Sequence, residues 1–301
     1  MRIFFFAIPL ILLTLLATSC SSVRLAYNTA DFFIARHVDD YLDLERTQQR
    51  DWSPLLKSAL ERHRTEELPY LAAFFAQAAE DARAGFTDDK IECLLDAFEI
   101  LYQRHARLAI AAVAPLLADL SPAQIDALAA TFAEEHAEDA AKASAEDAER
   151  RARKRAERYV DNLRWWFGAL DAEQRELVGE IAHRIPDTAP AWYDYRHAKR
   201  EALIALLRAD ALAAAIEHFL VQWLVEFEDL PRALTDAQPA LRAAFANLLL
   251  GLQPTLSNAQ RERFIGRLEG LRRDFLRLQH TPRLVPLPCV DILAALKDGD
   301  S

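Results

Sequence analysis

The chain has 301 residues, 52% of them hydrophobic and 27% charged, which supplies a sizeable core and excludes a disordered protein. Seven glycines in a chain dominated by alanine, leucine, arginine and glutamate disfavour turn-dense β architecture and predict an all-α fold, a multi-helix bundle of antiparallel and long helices. The formal net charge of −10 argues against nucleic acid as a partner.

At the N-terminus, Arg2 precedes the apolar run Ile3 to Leu16, and Ala17, Thr18 and Ser19 place small side chains just before Cys20. That order is a secretory signal, so residues 1–19 are expected to be removed. The run is interrupted by Pro9 and falls short of the roughly 20 apolar residues that span a bilayer. Leu16 to Cys20 resembles the lipobox of bacterial lipoproteins, with Ser19 where Gly or Ala is more usual. The resemblance implies that Cys20 is acylated, becomes the new N-terminus and holds the body to a membrane without spanning it. Ser21, where an Asp would retain such a protein at the inner membrane, implies the outer membrane, on the inner leaflet facing the periplasm. Cys93 and Cys289 then remain. Two readings stay open: a disulfide pinning the C-terminal tail to the body, or two buried free thiols. No Cys-x-x-Cys pair suggests redox catalysis.

Residues 20–280 read as a helical body, with a division into two subdomains placed near residue 168. A helix over about 29–44 follows the lipid almost directly, and 48–85 reads as a hairpin or a kinked long helix broken near Pro69. Thr87 caps the next helix, whose stripe Ile91, Leu94, Phe98, Leu101, His105 and Leu108 is expected to face a core, with His105 as a lone core-edge histidine. Ser121 begins a long helix to about Phe167. Its acidic stretch 134–149 is followed by a basic one, 150–158, and Glu146–Arg150, Asp147–Arg151 and Glu149–Arg153 are spaced as i,i+4 pairs on a solvated helix. The alternative is a basic patch for anionic lipid, lipopolysaccharide phosphate or an acidic partner. Further helices are predicted over 171–184, 190–227 with a break at 208–210, 239–250 and 257–279. Leu212, Ile216, Phe219, Trp223 and Phe227 form one apolar stripe, and Phe264, Leu268, Leu271, Phe275 and Leu278 form another. Pro282, Pro286 and Pro288 make residues 281–301 an extended strap or a loose tail.

One pattern recurs at Leu120 to Gln124, Leu170 to Gln174, Leu234 to Gln238 and Leu256 to Gln260, with a looser copy at Leu44 to Gln48. Each strict copy is placed to open a helix as a capping box, with Ser, Asp or Thr at the N-cap and Gln at N3. Pro122 suits N1, whereas Pro239 at N4 removes an amide from the first turn. A capping box accepts Glu as readily as Gln, so the uniform choice of Gln exceeds what capping requires.

The Leu-Thr-x-x-Gln signature resembles that of the Spy/CpxP family of periplasmic chaperone-like proteins, and the resemblance implies client binding. A second likeness is to a family of Gram-negative lipoproteins of helical plan that carries no activity to transfer. It rests on Cys20, Val23 to Asn28, Leu44 to Gln48, Trp166 to Gly168 leading into Leu170 to Gln174, and Trp192 with Arg196. The resulting expectation is a membrane-anchored, chaperone-like protein acting on unfolded or envelope protein clients. Gln124, Gln174, Gln238, Gln260, Trp165, Trp166, Trp192 and Tyr195 are its candidate contacts. The alternative is an adaptor lipoprotein that tethers an envelope assembly. No catalytic motif, metal-ligand spacing or cofactor fingerprint stands out, so neither an enzyme nor a cofactor is expected.

Overall fold

The structure, a computed structural model, describes residues 22–287, and every regular element among them is helical. Residues 1–19, read above as a signal sequence, and Cys20 and Cys289 lie outside the described residues. No helix among the described residues is long and apolar enough to cross a membrane.

The chain opens with α1 (Ser22–Asn28) and α2 (Ala30–Leu42). Asp43 ends α2 in the left-handed region, φ +48°, with its N–H donating to the Asp39 carbonyl at 2.8 Å. The segment predicted as a hairpin or a kinked rod is one rod: α3 (Arg46–Arg62), a π-turn (His63–Glu67) and α4 (Leu68–Ala84) follow without a break. Pro69 explains the irregularity, because it has no N–H to bond the carbonyl four residues back and its ring crowds that carbonyl. The ladder widens instead, with the Leu68 N–H reaching the His63 carbonyl, and the freed Thr65 carbonyl accepts from Arg283 at 3.2 Å.

Helix α5 (Asp88–Ala118) is about 46 Å long at 1.5 Å per residue and serves as a spine. Thr87 caps it as expected, accepting from the Lys90 N–H at 3.4 Å. Ile91 and Leu94 enter one core, Ala97 and Leu101 a second, and Ile110, Ala114, Leu116 and Leu117 a third. Phe98 departs from its predicted stripe: it is 60% exposed.

The long helix predicted from Ser121 to Phe167 is two helices, α6 (Pro122–Ala145) and α7 (Ala148–Phe167), because Asp147 caps α7 by accepting from the Arg150 N–H at 2.7 Å. The break redirects the predicted charge pairs. Only Glu149–Arg153 forms as read, at 3.2 Å. Glu146 pairs with Lys154, and Arg151 reaches Asp187 at 2.6 Å.

The chain continues through α8 (Ala172–Arg184), α9 (Ala189–Arg208), α10 (Ala213–Leu224), the single turn α11 (Arg232–Thr235), α12 (Gln238–Leu252) and α13 (Asn258–Leu278). Leu212 precedes α10 and is 79% exposed, so it leaves the stripe assigned to it; Phe227 lies beyond the helix end.

One core gathers α2, α3, the C-terminal half of α5, the start of α6, α9 and α10. Another gathers the end of α4, the start of α5, α7, α8, α12 and α13. A cut near residue 168 does not separate them, since Ala78 and Ile91 share a core with Val178 and Leu268. The smallest core, that of Ala97 and Leu101, is closed by the C-terminal segment: Leu287 is buried against it and the Val285 N–H donates to the Pro69 carbonyl at 3.3 Å. Residues 281–287 are therefore a strap.

Candidate functional site

The recurring glutamines meet in pairs. Gln48 opens α3 and Gln124 opens α6. Each turns its side-chain oxygen back to its own N-cap, accepting from the Glu45 N–H at 2.9 Å and the Ser121 N–H at 2.9 Å. Each amide nitrogen then donates to the partner's oxygen, at 3.0 Å from Gln48 and 2.8 Å from Gln124. The remaining protons go to carbonyls beside the partner's helix start: Gln48 to Asp119 at 2.6 Å, Gln124 to Asp43 at 2.8 Å. Gln174, opening α8, and Gln260, opening α13, repeat the arrangement. They exchange bonds of 3.1 and 2.9 Å, accept from Asp171 and Ser257, and donate to Thr255 at 3.1 Å and Ala169 at 2.9 Å.

Both knots tie two helix starts that are distant in sequence, and the adjoining leucines enter the two large cores: Leu44 and Leu120 in one, Leu170 and Leu256 in the other. An amide is required because each side chain both accepts and donates, whereas an ionised Glu only accepts. That requirement accounts for the uniform Gln. It also removes these residues from the client surface predicted for them: Gln124 is buried, Gln174 is fully buried, and the amides of both and of Gln260 are consumed inside the fold. Gln238 is exposed and belongs to neither knot. Its motif opens no capping box, because Thr235 ends α11 and α12 starts at Gln238 itself, with Pro239 in its first turn. The copy read as looser, Leu44 to Gln48, supplies the fourth knot residue.

Of the four candidate aromatics, two stand at each of two places. Trp165 is partly exposed under Arg267, whose guanidinium lies 4.5 Å from the ring centroid, and Trp166 packs edge-on to Phe264 of a core at 5.8 Å. Trp192 is 39% exposed and sits 5.8 Å from the ring of Tyr195, which is buried and donates its hydroxyl to the Glu228 carbonyl at 3.0 Å. From Trp192 a chain of rings continues to Phe227 at 6.4 Å and on to Tyr102, stacked on Phe227 at 6.0 Å. Phe98 lies one turn before Tyr102 on α5 and is exposed. The loop after α10 holds this band in place: Phe227 adopts φ +50°, and the Tyr102 hydroxyl donates to the Leu224 carbonyl at 2.7 Å. Sequence reading missed Phe98, Tyr102 and Phe227 as surface residues, because helical spacing is the same for a ring facing a core and a ring facing water.

A polar cluster surrounds the π-turn. The His63 ring lies 4.8 Å from that of His105, and its Nδ1 is 2.8 Å from the Tyr27 hydroxyl. Burial, with positive neighbours at His105 and Arg64, pushes the His63 imidazole down to about 4, and burial pushes the Tyr27 phenol up to about 12. His105 is thus not alone, although it makes the single bond expected, to the Leu101 carbonyl. Buried Glu67 takes a two-pronged bond from Arg104 at 2.7 and 2.8 Å, and Arg104 covers the Tyr70 ring at 4.2 Å. Arg64 donates to the Leu278 carbonyl at 2.7 Å and to Asn28 at 3.2 Å, while Arg24 pairs with Asp274 at 3.2 Å. These contacts bind α1 to the rod and to α13. No group of three or more His, Cys, Asp or Glu among the described residues is placed to hold a metal. Cys93 is disulfide-bonded, and its partner lies outside the described residues.

The charged segment is engaged within the fold in part, with Arg150, Arg153, Lys154 and Arg158 exposed. Glu135 bonds Tyr41 at 2.7 Å and Arg200 at 2.5 Å, Asp139 bonds Arg196, and Arg155 donates to the carbonyls of Ala182 and Ile185 near the end of α8. Arg155 and Arg151 are thereby turned toward α8 and away from an external anion.

No curated protein and no solved structure matches the chain. The sequence profile of DUF6279, a family of unknown function, matches residues 40–232, which is more than half of the chain and includes the first glutamine knot, the π-turn and the aromatic band. The chain belongs to that family.

Proposed function

We propose that this is a non-catalytic, lipid-anchored protein of the cell envelope, attached through Cys20 to the inner leaflet of the outer membrane after removal of residues 1–19. Its helical body binds polypeptide clients there. The observation that carries the binding reading is the aromatic band, in which Phe98, Tyr102, Phe227 and Trp192 bring partly exposed rings from α5, α9 and the loop after α10 into one row. Exposed aromatic clusters with charged rims are the surfaces on which proteins bind apolar polypeptide segments, and Glu226, Glu228 and Asp229 rim this one. The test is aggregation of an unfolding client mixed at a one-to-one ratio with the purified mature protein. Suppression that is lost in Phe98→Ser/Trp192→Ser supports the reading, and no suppression by the unaltered protein refutes it.

The adaptor reading draws on a different observation. The two knots consume the Gln124, Gln174 and Gln260 copies of the motif and leave only Leu234 to Gln238 outside, so the motif chiefly braces a body whose band is preformed, and preformed surfaces suit one fixed partner. A photo-crosslinker at position 192 that captures one stable envelope partner in cells, with no effect on generic clients in vitro, would favour it.

A further inference from the structure

We propose that the exposed face of α1 and α2, together with the cleft between α2 and α3, is a membrane-contact surface whose occupant is an anionic lipid bilayer. The inference rests on the lipid-anchored reading and adds a second, protein-borne contact to it. Leu25 is 64% exposed, and Phe32 and Phe33 are each 61% exposed, their rings edge to face at 5.4 Å. Two adjacent phenylalanines turned to water are an unusual use of apolar area in a chain that fills three cores.

Their position says what covers them. Ser22, the first residue of α1, is two residues past Cys20, so Leu25 lies beside the proposed acyl attachment. Phe33 is eleven residues beyond Ser22, about 16 Å along a helical path. One turn past Phe32 stands Arg36, also exposed, and across the cleft are Arg46 and Arg50 of α3. Phe32, Arg36, Arg46, Arg50 and Trp52 line this open cleft of about 510 Å³. Of the carboxylates nearby, Asp39 accepts from the Leu44 N–H at 3.2 Å and from Gln49 at 2.8 Å, Asp40 stands 3.8 Å from Arg36 and Asp51 2.7 Å from Arg50, so both of those arginines are shared with an acid, and Asp43 and Glu45 are exposed beside Arg46.

The arrangement has the order of an interfacial helix, with apolar side chains at the anchored end and guanidinium groups a turn further out, at phosphate depth. The whole protein carries a formal net charge of −10 and is repelled by an anionic surface as a body. The exposed apolar side chains beside the anchor, Leu25, Phe32 and Phe33, therefore fix which face turns to the bilayer, and Arg36, Arg46 and Arg50 offer guanidinium groups to lipid phosphate at their edge.

The test uses the full lipidated protein reconstituted in vesicles of phosphatidylethanolamine and phosphatidylglycerol, 3:1, containing bromine-labelled acyl chains. Bimane is attached at Phe33→Cys or, as a control on α8, at Glu176→Cys, and acylation of Cys20 is read by mass spectrometry. The expected result is at least threefold stronger quenching at position 33 than at 176, falling toward the control in Arg36→Gln/Arg46→Gln/Arg50→Gln. Equal quenching at both positions with Cys20 acylated overturns the proposal and leaves the anchor intact. A crosslink between position 33 of two chains would assign the face to a second copy and also overturn it. If Cys20 is unmodified the anchor reading fails, and co-sedimentation of the same chain with the same vesicles decides the surface. Binding lost in Phe32→Ser/Phe33→Ser upholds it, and absence of binding overturns it.

Discussion

Gln174→Glu separates capping from pairing, two roles that one side chain performs. As a cap alone, a glutamate at the third position of α8 is an acceptable and even favourable residue, gaining about 0.3–1 kcal/mol from the helix dipole. As half of a knot it fails, because the carboxylate cannot donate to the Thr255 carbonyl or to the Gln260 oxygen, both 3.1 Å away. The half-buried Thr255 carbonyl loses this donor, the Gln260 oxygen is left with Ser257 alone, and a charge enters a site with no solvent exposure. At about 1–3 kcal/mol for the carbonyl left without its donor and a similar amount for the desolvated carboxylate, less the dipole gain, the variant should lose about 2–4 kcal/mol, a fall in Tm on the order of 5–10 °C. Burial raises the folded-state pKa of the new carboxyl, so the loss should be full well above that pKa and fade as pH falls into the ordinary carboxylate range. Urea and thermal unfolding of the variant and the parent at pH 7 measure the difference. A Gln174→Glu protein as stable as the parent would refute the pairing argument. A double-mutant cycle adds a second check: Gln174→Ala and Gln260→Ala should couple by about 0.5–3 kcal/mol, while Gln174→Ala and Gln124→Ala, in separate cores, should add.

The π-turn predicts a pH response. With its imidazole held near 4 in the fold, against an ordinary value of 6.5, His63 takes up its proton more readily in the unfolded chain, so its contribution is complete above about 6.5 and is lost as pH falls toward 4. The loss is on the order of 3 kcal/mol, and denaturation midpoints of His63→Gln should show a shallower decline than the parent between pH 6.5 and 5. Arg104→Gln leaves the buried Glu67 carboxylate without its two-pronged partner and should cost about 3–5 kcal/mol in the same assay, whereas the surface variant Arg62→Gln should cost under about 1 kcal/mol. Cys93 is disulfide-bonded, so a non-reducing peptide map should recover its peptide joined to the Cys289 peptide, the first of the two readings left open by the sequence; a Cys93 peptide that is free or joined to anything else would refute that reading.

Helix type and most helix limits were legible because they are local. Thr87, Ser121, Asp171 and Ser257 announce their helices by hydroxyl or carboxylate oxygens placed to accept an amide three residues on. The break at Asp147 was masked by a continuous run of helix formers, in which one more Asp looks like part of the acidic face. Leu234 to Gln238 misled for the opposite reason: the residues fit the pattern, but Pro239 and the single turn of α11 shift the helix start onto Gln238. Phe98 and Leu212 carried the spacing of core residues and face solvent, since periodicity names a face without naming what lies opposite it.

The preference for Gln over Glu was itself a sequence observation, and it recorded a constraint whose partner the sequence could not name. Capping bonds join residues three apart and can be read from one strand of text. The amides that complete each knot come from helix starts 76 and 86 residues away. Likewise the exposed rings of the band are set side by side by the packing of α5 against α10 and by the turn at Phe227, through contacts that no local pattern encodes. Local hydrogen-bond chemistry and hydrophobic spacing thus determine that this chain is helical and where its helices begin. Which of those beginnings meet, and which apolar residues are left facing water, follows from how helices distant in sequence fill their shared cores.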